Sequence, residues 1–136
     1  MMNEQQFKDR TKQLGLQVIR LVEELPKSYT ADVLGRQLLR SATSVGANYR
    51  AACRGRSSAD VLNKLGIVEE ETDETLYWLE LLAESRLVPA PRLTDLLSDA
   101  NEVLAMTVAS IKTLRVRTST LVLGSKIQNP KSKIRS

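Results

Sequence analysis

The sequence predicts an all-α protein: an antiparallel up-down-up-down four-helix bundle with a disordered basic C-terminal tail. Three observations carry that prediction. Apolar residues recur every three or four positions along most of the chain, the period of one helical face. Glycine and proline are scarce, six and four in 136 residues, too few for a turn-rich β fold. The breaks between periodic runs are short, and short connections make consecutive helices antiparallel neighbours. A chain of this length is one domain large enough to bury a core. The bundle is assigned to residues 1–124 and the tail to residues 125–136.

The first helix is expected from about Glu4 to Leu25. Phe7, Thr11, Leu14, Val18, Leu21, Val22 and Leu25 line one face, and Pro26 ends it by withholding an N–H. Thr30 is the expected cap of the second helix. The buried stripe of that helix is Leu34, Leu38, Val45, Tyr49 and Ala52, and Gly55 occupies the position of a left-handed C-terminal cap. Ser57 and Asp60 begin a capping box for the third helix, about Ser58 to Ser85. Its inner face is Val61, Leu65, Val68, Thr72, Leu76, Leu79 and Ala83. Pro89 and Pro91 break the chain, and Pro91 suits the first turn of the next helix. The fourth helix holds Leu93, Leu96, Leu97, Ala100, Val103, Leu104, Thr107, Val108, Ile111, Leu114 and Thr118, and is expected to end near Gly124. The polar, basic remainder is expected to be disordered.

Charge is distributed unevenly. The formal net charge is +4. On an ideal helix Arg36, Arg40, Arg50 and Arg54 fall within roughly 80° of arc, opposite the core stripe. No acid lies between Asp32 and Asp60, so the stripe is expected to lack partners one turn away. A guanidinium row without internal partners suits phosphate, which accepts its planar fork of donors. Arg56, Lys112, Arg115 and Arg117 extend it, as do the tail's Lys126, Lys131, Lys133 and Arg135. Nucleic acid, bound through its backbone with weak sequence preference, is the partner this pattern predicts. The alternative is a protein-interaction scaffold. The third helix carries eight acids against one lysine, and those acids could pair with the arginines within a subunit or across an interface.

An enzyme is not expected. There is no histidine, hence neither the usual general base nor the commonest metal ligand. "EEETDE" resembles a carboxylate cluster, but a di-iron bundle also needs histidines. No metal or other cofactor is expected. Cys53, the single cysteine, excludes an internal disulfide and fits a reducing compartment. "MMNEQQFKDR" lacks the apolar run of a signal peptide, and no segment is apolar enough to span a membrane, so a cytoplasmic location is expected. The third helix has a second apolar side, formed by Ile67, Tyr77, Trp78 and Leu81. It serves either as an oligomer interface or, for Trp78, as a wedge inside its own bundle.

The segment "RSATSVGANYRAACRGRSSADVLNKLGIVEEETDETLYWLELL", residues 40–82, resembles the signature region of the bacterial 23S rRNA intervening-sequence proteins. That four-helix family is related to the accessory variability determinant of diversity-generating retroelements. The similarity lies in the Arg-Ser-Ala-x-Ser start, Asn48, the basic-serine junction and the Glu-rich run ending in Tyr77-Trp78-Leu79. Many members carry Asn-x-x-Glu-Gly, where this chain has Asn48 followed by "YRAACRGR", which makes its second helix more basic. The resemblance implies a cytoplasmic bundle assembled as a ring, a homopentamer. It also implies nucleic acid and a reverse transcriptase as partners. Arg40, Ser41, Ser44 and Asn48 match the motif, the last three as packing and polar-interface residues.

Overall fold

The computed structural model describes residues 3–128, with side chains described through residue 120. Four α-helices follow one another: α1 (Glu4–Glu23), α2 (Tyr29–Cys53), α3 (Ser58–Glu84) and α4 (Thr94–Gln128). One 3-10 turn, Ala90–Arg92, precedes α4 and contains Pro91. Cross-helix contacts set the antiparallel register. Gly46 lies against Thr11, Gly15 against Ala42, and Gly35 against Val22 and Leu25. Arg10 of α1 pairs with Asp99 and Glu102 of α4. Arg92, just before α4, pairs with Glu24. α2 packs on α1 and α3, α3 on α4, and α4 closes back on α1, as an up-down-up-down bundle requires.

Leu14, Val18, Leu38, Val45, Val68, Leu79, Leu82, Leu93 and Val103 are all but sealed from solvent. Thr11, Thr72 and Thr107 are buried among them. Each hydroxyl donates to a carbonyl of the preceding turn, Lys8, Val68 and Val103 respectively, so none is left unsatisfied. The rings of Phe7 and Tyr49 stack with centroids 3.9 Å apart and fasten the start of α1 to the end of α2.

The caps differ from expectation at two places. Ser28, not Thr30, starts α2: its backbone is extended and its Oγ accepts the Ala31 N–H at 3.1 Å. Thr30 is exposed within the first turn. Gly55 does not adopt a left-handed conformation; among the described residues that position belongs to Arg86, with φ 65°, in the turn after α3. Gly55 is required for space, because a Cβ there would run into the Val61 side chain and close to 3.1 Å on the Ala52 carbonyl. Gly55→Ala is therefore expected to destabilise the bundle by about 1–3 kcal/mol, read as a lower denaturation midpoint at unchanged m-value.

The Ser57 cap is present: its Oγ accepts the Asp60 N–H at 3.1 Å. The Asp60 carboxylate accepts from the Arg56 N–H rather than closing the box on Ser57. α4 continues through Gly124 to Gln128, so the helix takes in the first residues assigned to the tail. The rest of the tail, residues 129–136, lies outside the described residues.

Candidate nucleic-acid interface

The arginines of α2 divide into two groups. Arg36 and Arg40 have partners. Arg36 reaches back one turn to Asp32 at 2.9 Å, so the stripe does neutralise part of itself by i,i+4 pairing. Arg40 spans to α3, where its two terminal nitrogens meet Glu71 (3.2 Å) and Glu74. The Trp78 indole N–H donates to the same Glu74 carboxylate at 3.0 Å. Beneath this clasp the buried Ser41 hydroxyl donates to the Leu38 carbonyl and receives the Thr75 hydroxyl at 3.0 Å. The Arg-Ser of the signature and its Glu-rich run are thus the two halves of one α2–α3 lock. Ser44 and Asn48 bond within α2, to the carbonyls of Arg40 and Ser44.

The Trp78 hydrogen bond and the Arg40 guanidinium hold the Glu74 carboxyl below its ordinary value of 4.5, and Glu74 in turn raises that of Arg40. A depressed carboxyl contributes stability that is present above 4.5 and lost as pH falls through the folded-state value. Trp78 is the single tryptophan, so its fluorescence reports the clasp. An acid transition below pH 4.5 is expected, absent in Glu74→Gln. An identical transition in that variant would contradict the assignment.

Arg50, Arg54 and Arg56 are exposed, and none has a carboxylate within salt-bridge distance among the described residues. Antiparallel stacking brings them to the end of the bundle where α1 begins and α4 leaves. Segments 4–12, 50–64 and 112–117, which meet there, hold ten Lys or Arg against three acids, and one of the ten, Arg10, is paired with Asp99 and Glu102 from outside those segments. The rest of the bundle, 13–49 and 65–111, holds six against thirteen. A net charge of +4 therefore conceals a basic pole and an acidic body. Arg115 and Arg117 are exposed at the basic pole. Arg36 and Arg40, by contrast, lie on the acidic body.

Lys8, Lys12, Arg50 and Arg54 also border a groove of about 520 Å³ between α1 and α2, with Leu16 and Ile19 on its wall. On α3, Trp78 is half-buried and packs against the core. Tyr77 stands edge-on to it with centroids 5.1 Å apart and is 52% exposed. Leu81, one turn beyond Tyr77, and Ile67, nearly three turns before it, are half-buried.

A sequence model of the 23S rRNA-intervening sequence proteins matches residues 3–109. The chain belongs to that family. Its fold is shared by a crystal structure of a protein of unknown function from the S23 ribosomal protein family of Bacteroides thetaiotaomicron. That protein is 34% identical, with a TM-score of 0.74 over 78% of this chain and 98% of the other. No curated protein shows significant similarity to the chain.

The family match spans the clasp and the basic groove but stops before Arg115 and Arg117. Burial pushes the Cys53 thiol up, which keeps it protonated and weakly nucleophilic. Of the Glu-rich run, Glu71 and Glu74 are committed to Arg40. Among the described residues no group of three or more His, Cys, Asp or Glu is placed to hold a metal ion, and no helix is long and apolar enough to cross a membrane.

Proposed function

We propose that this family member is a non-catalytic accessory protein of the cytoplasm that binds nucleic acid at its basic pole, through the phosphate backbone and with weak sequence preference. The observation that carries this reading is the segregation of charge: Arg50, Arg54, Arg56, Arg115 and Arg117 share one end of the bundle without carboxylate partners among the described residues. Guanidinium forks suit phosphate oxygens, and a pole of one sign steers a polyanion toward it. Arg36 and Arg40 fall outside this footprint because carboxylates already hold them. The resemblance supports a homo-oligomer, a pentameric ring, and a reverse transcriptase as a further partner. No cofactor is needed for such a role.

The test is fluorescence anisotropy with a labelled RNA hairpin and the matching DNA. Glutamine at the five pole arginines is expected to abolish binding. Glutamine at Arg36 and Arg40 is expected to preserve it. The reverse outcome would refute the proposal.

A scaffold role is favoured by a separate observation. Glu70, Asp73, Glu80 and Glu84 are exposed on α3 and have no basic partner among the described residues.

A further inference from the structure

We propose that the groove between α1 and α2 takes an unpaired nucleotide of the nucleic acid held at the basic pole, so that the protein prefers single-stranded segments to duplex. The inference rests on the phosphate-binding reading of the pole and deepens it. Arg50 and Arg54 remain phosphate ligands, and the groove adds a place for a base carried by the same strand.

The groove changes character along its length. Its α1 side runs from Gln5 to Ile19, about four turns or ~21 Å of helix. At the pole end stand Lys12, Arg50 and Arg54, none with a carboxylate partner among the described residues. At the other end stand Leu16 and Ile19, 37% and 40% exposed. Gly15, Ala42 and Gly46 line the groove between the two helices. A Cβ on Gly46 would stand 3.5 Å from the Thr11 carbonyl oxygen, so the two backbones approach there and no side chain fills the space. Cations thus lead into a smooth apolar trough.

A nucleotide has the same two parts: an anionic phosphate and a flat base with an apolar face. In a duplex each base face is covered by its neighbours in the stack, and only phosphates and base edges are offered. A duplex therefore has nothing to lay on Leu16 and Ile19. An unpaired segment has free faces and a backbone that can bend. Packed helices lie roughly 8–10 Å apart, which leaves a channel wide enough for one strand. The volume of about 520 Å³ falls within the roughly 300–1,000 Å³ of small-molecule sites, the scale of a nucleotide.

The polar groups of the trough are already engaged. The Gln5 amide donates to Asp9 at 3.0 Å. The Thr43 hydroxyl donates to the Leu39 carbonyl at 2.7 Å. Lys8 pairs with Glu4 at 3.6 Å. Few donors or acceptors remain to read a base edge, so the base is covered by shape and apolar contact. Strand is then distinguished from duplex while one base is hardly distinguished from another.

The test compares a labelled oligouridine strand with a fully paired RNA duplex of equal phosphate number, by fluorescence anisotropy. The wild-type chain is expected to bind the strand more tightly. Leu16→Asn with Ile19→Asn changes no charge and alters only exposed positions. It is expected to weaken the strand by about tenfold, the effect of losing roughly 60 Å² of apolar contact. Its duplex affinity and the salt slopes of both ligands are expected to stay as in the wild type. Leu16→Met with Ile19→Met keeps the wall apolar and is expected to bind both ligands as the wild type does. Circular dichroism confirms that each variant keeps its helices.

An asparagine variant that binds the strand as tightly as the wild type would overturn the proposal. So would equal losses on strand and duplex, or a methionine variant as weak as the asparagine one. A variant of unchanged strand affinity but altered mass by light scattering would give the groove to a second copy of the chain instead. Duplex binding by the wild type together with any of these results leaves the phosphate-binding pole standing and removes the groove alone. Binding of neither ligand removes both.

Discussion

Leu79→Ala is expected to cost about 2–5 kcal/mol of folding stability, the largest effect of any single substitution considered. Leu79 is fully buried on α3, the helix that packs on both α2 and α4. Truncation removes its transfer free energy and leaves a cavity that rigid helices cannot close. Thermal denaturation should show a midpoint lower by roughly 10 °C. Leu81, two residues on, points to the other side of the helix and is half exposed. Its alanine variant should cost well under 1 kcal/mol in the monomer, because surface positions rarely exceed about 0.5 kcal/mol. Equal losses at the two positions would contradict the assigned helix faces.

The second large effect is on binding. Each phosphate neutralised on duplex DNA contributes about 0.9 to the log-log salt slope, so five pole arginines correspond to a slope of roughly −4.5. A fourfold rise in salt should then weaken binding by about 500-fold. Changing Arg54 alone should reduce the slope by about one and weaken all sequences alike, as expected for a backbone contact. Arg40→Gln should leave the slope unchanged and disturb the Trp78 signal instead, because that guanidinium is spent on Glu71 and Glu74.

The helices were legible because each buries one stripe, and the spacing of Phe7 to Leu21 or Leu93 to Ile111 displays that stripe directly. The cap of α2 was misread because Ser28 and Thr30 both carry a hydroxyl. What separates them is the backbone: Ser28 is extended, whereas Thr30 already lies inside the first turn. Gly55 was legible as special but not for the right reason, since its neighbour Val61 arrives from the next helix. The fate of Arg40 could not be read from the chain. It depends on the rotation of α2 against α3, which brings residues more than thirty positions apart into contact. Asp32 was within reach of Arg36 by the ordinary one-turn rule and bounded the acid-free run, and it pairs across that boundary. The basic pole was hidden because three segments distant in sequence become neighbours only after antiparallel stacking.

The most direct test is the salt dependence of duplex DNA binding, measured for the wild-type chain and for the chain with glutamine at Arg50, Arg54, Arg56, Arg115 and Arg117. A slope near roughly −4.5 that collapses toward zero in the substituted chain is the expected result for five backbone contacts. A wild-type slope near zero, or one that the five substitutions leave unchanged, would show that the basic pole does not hold a phosphate backbone.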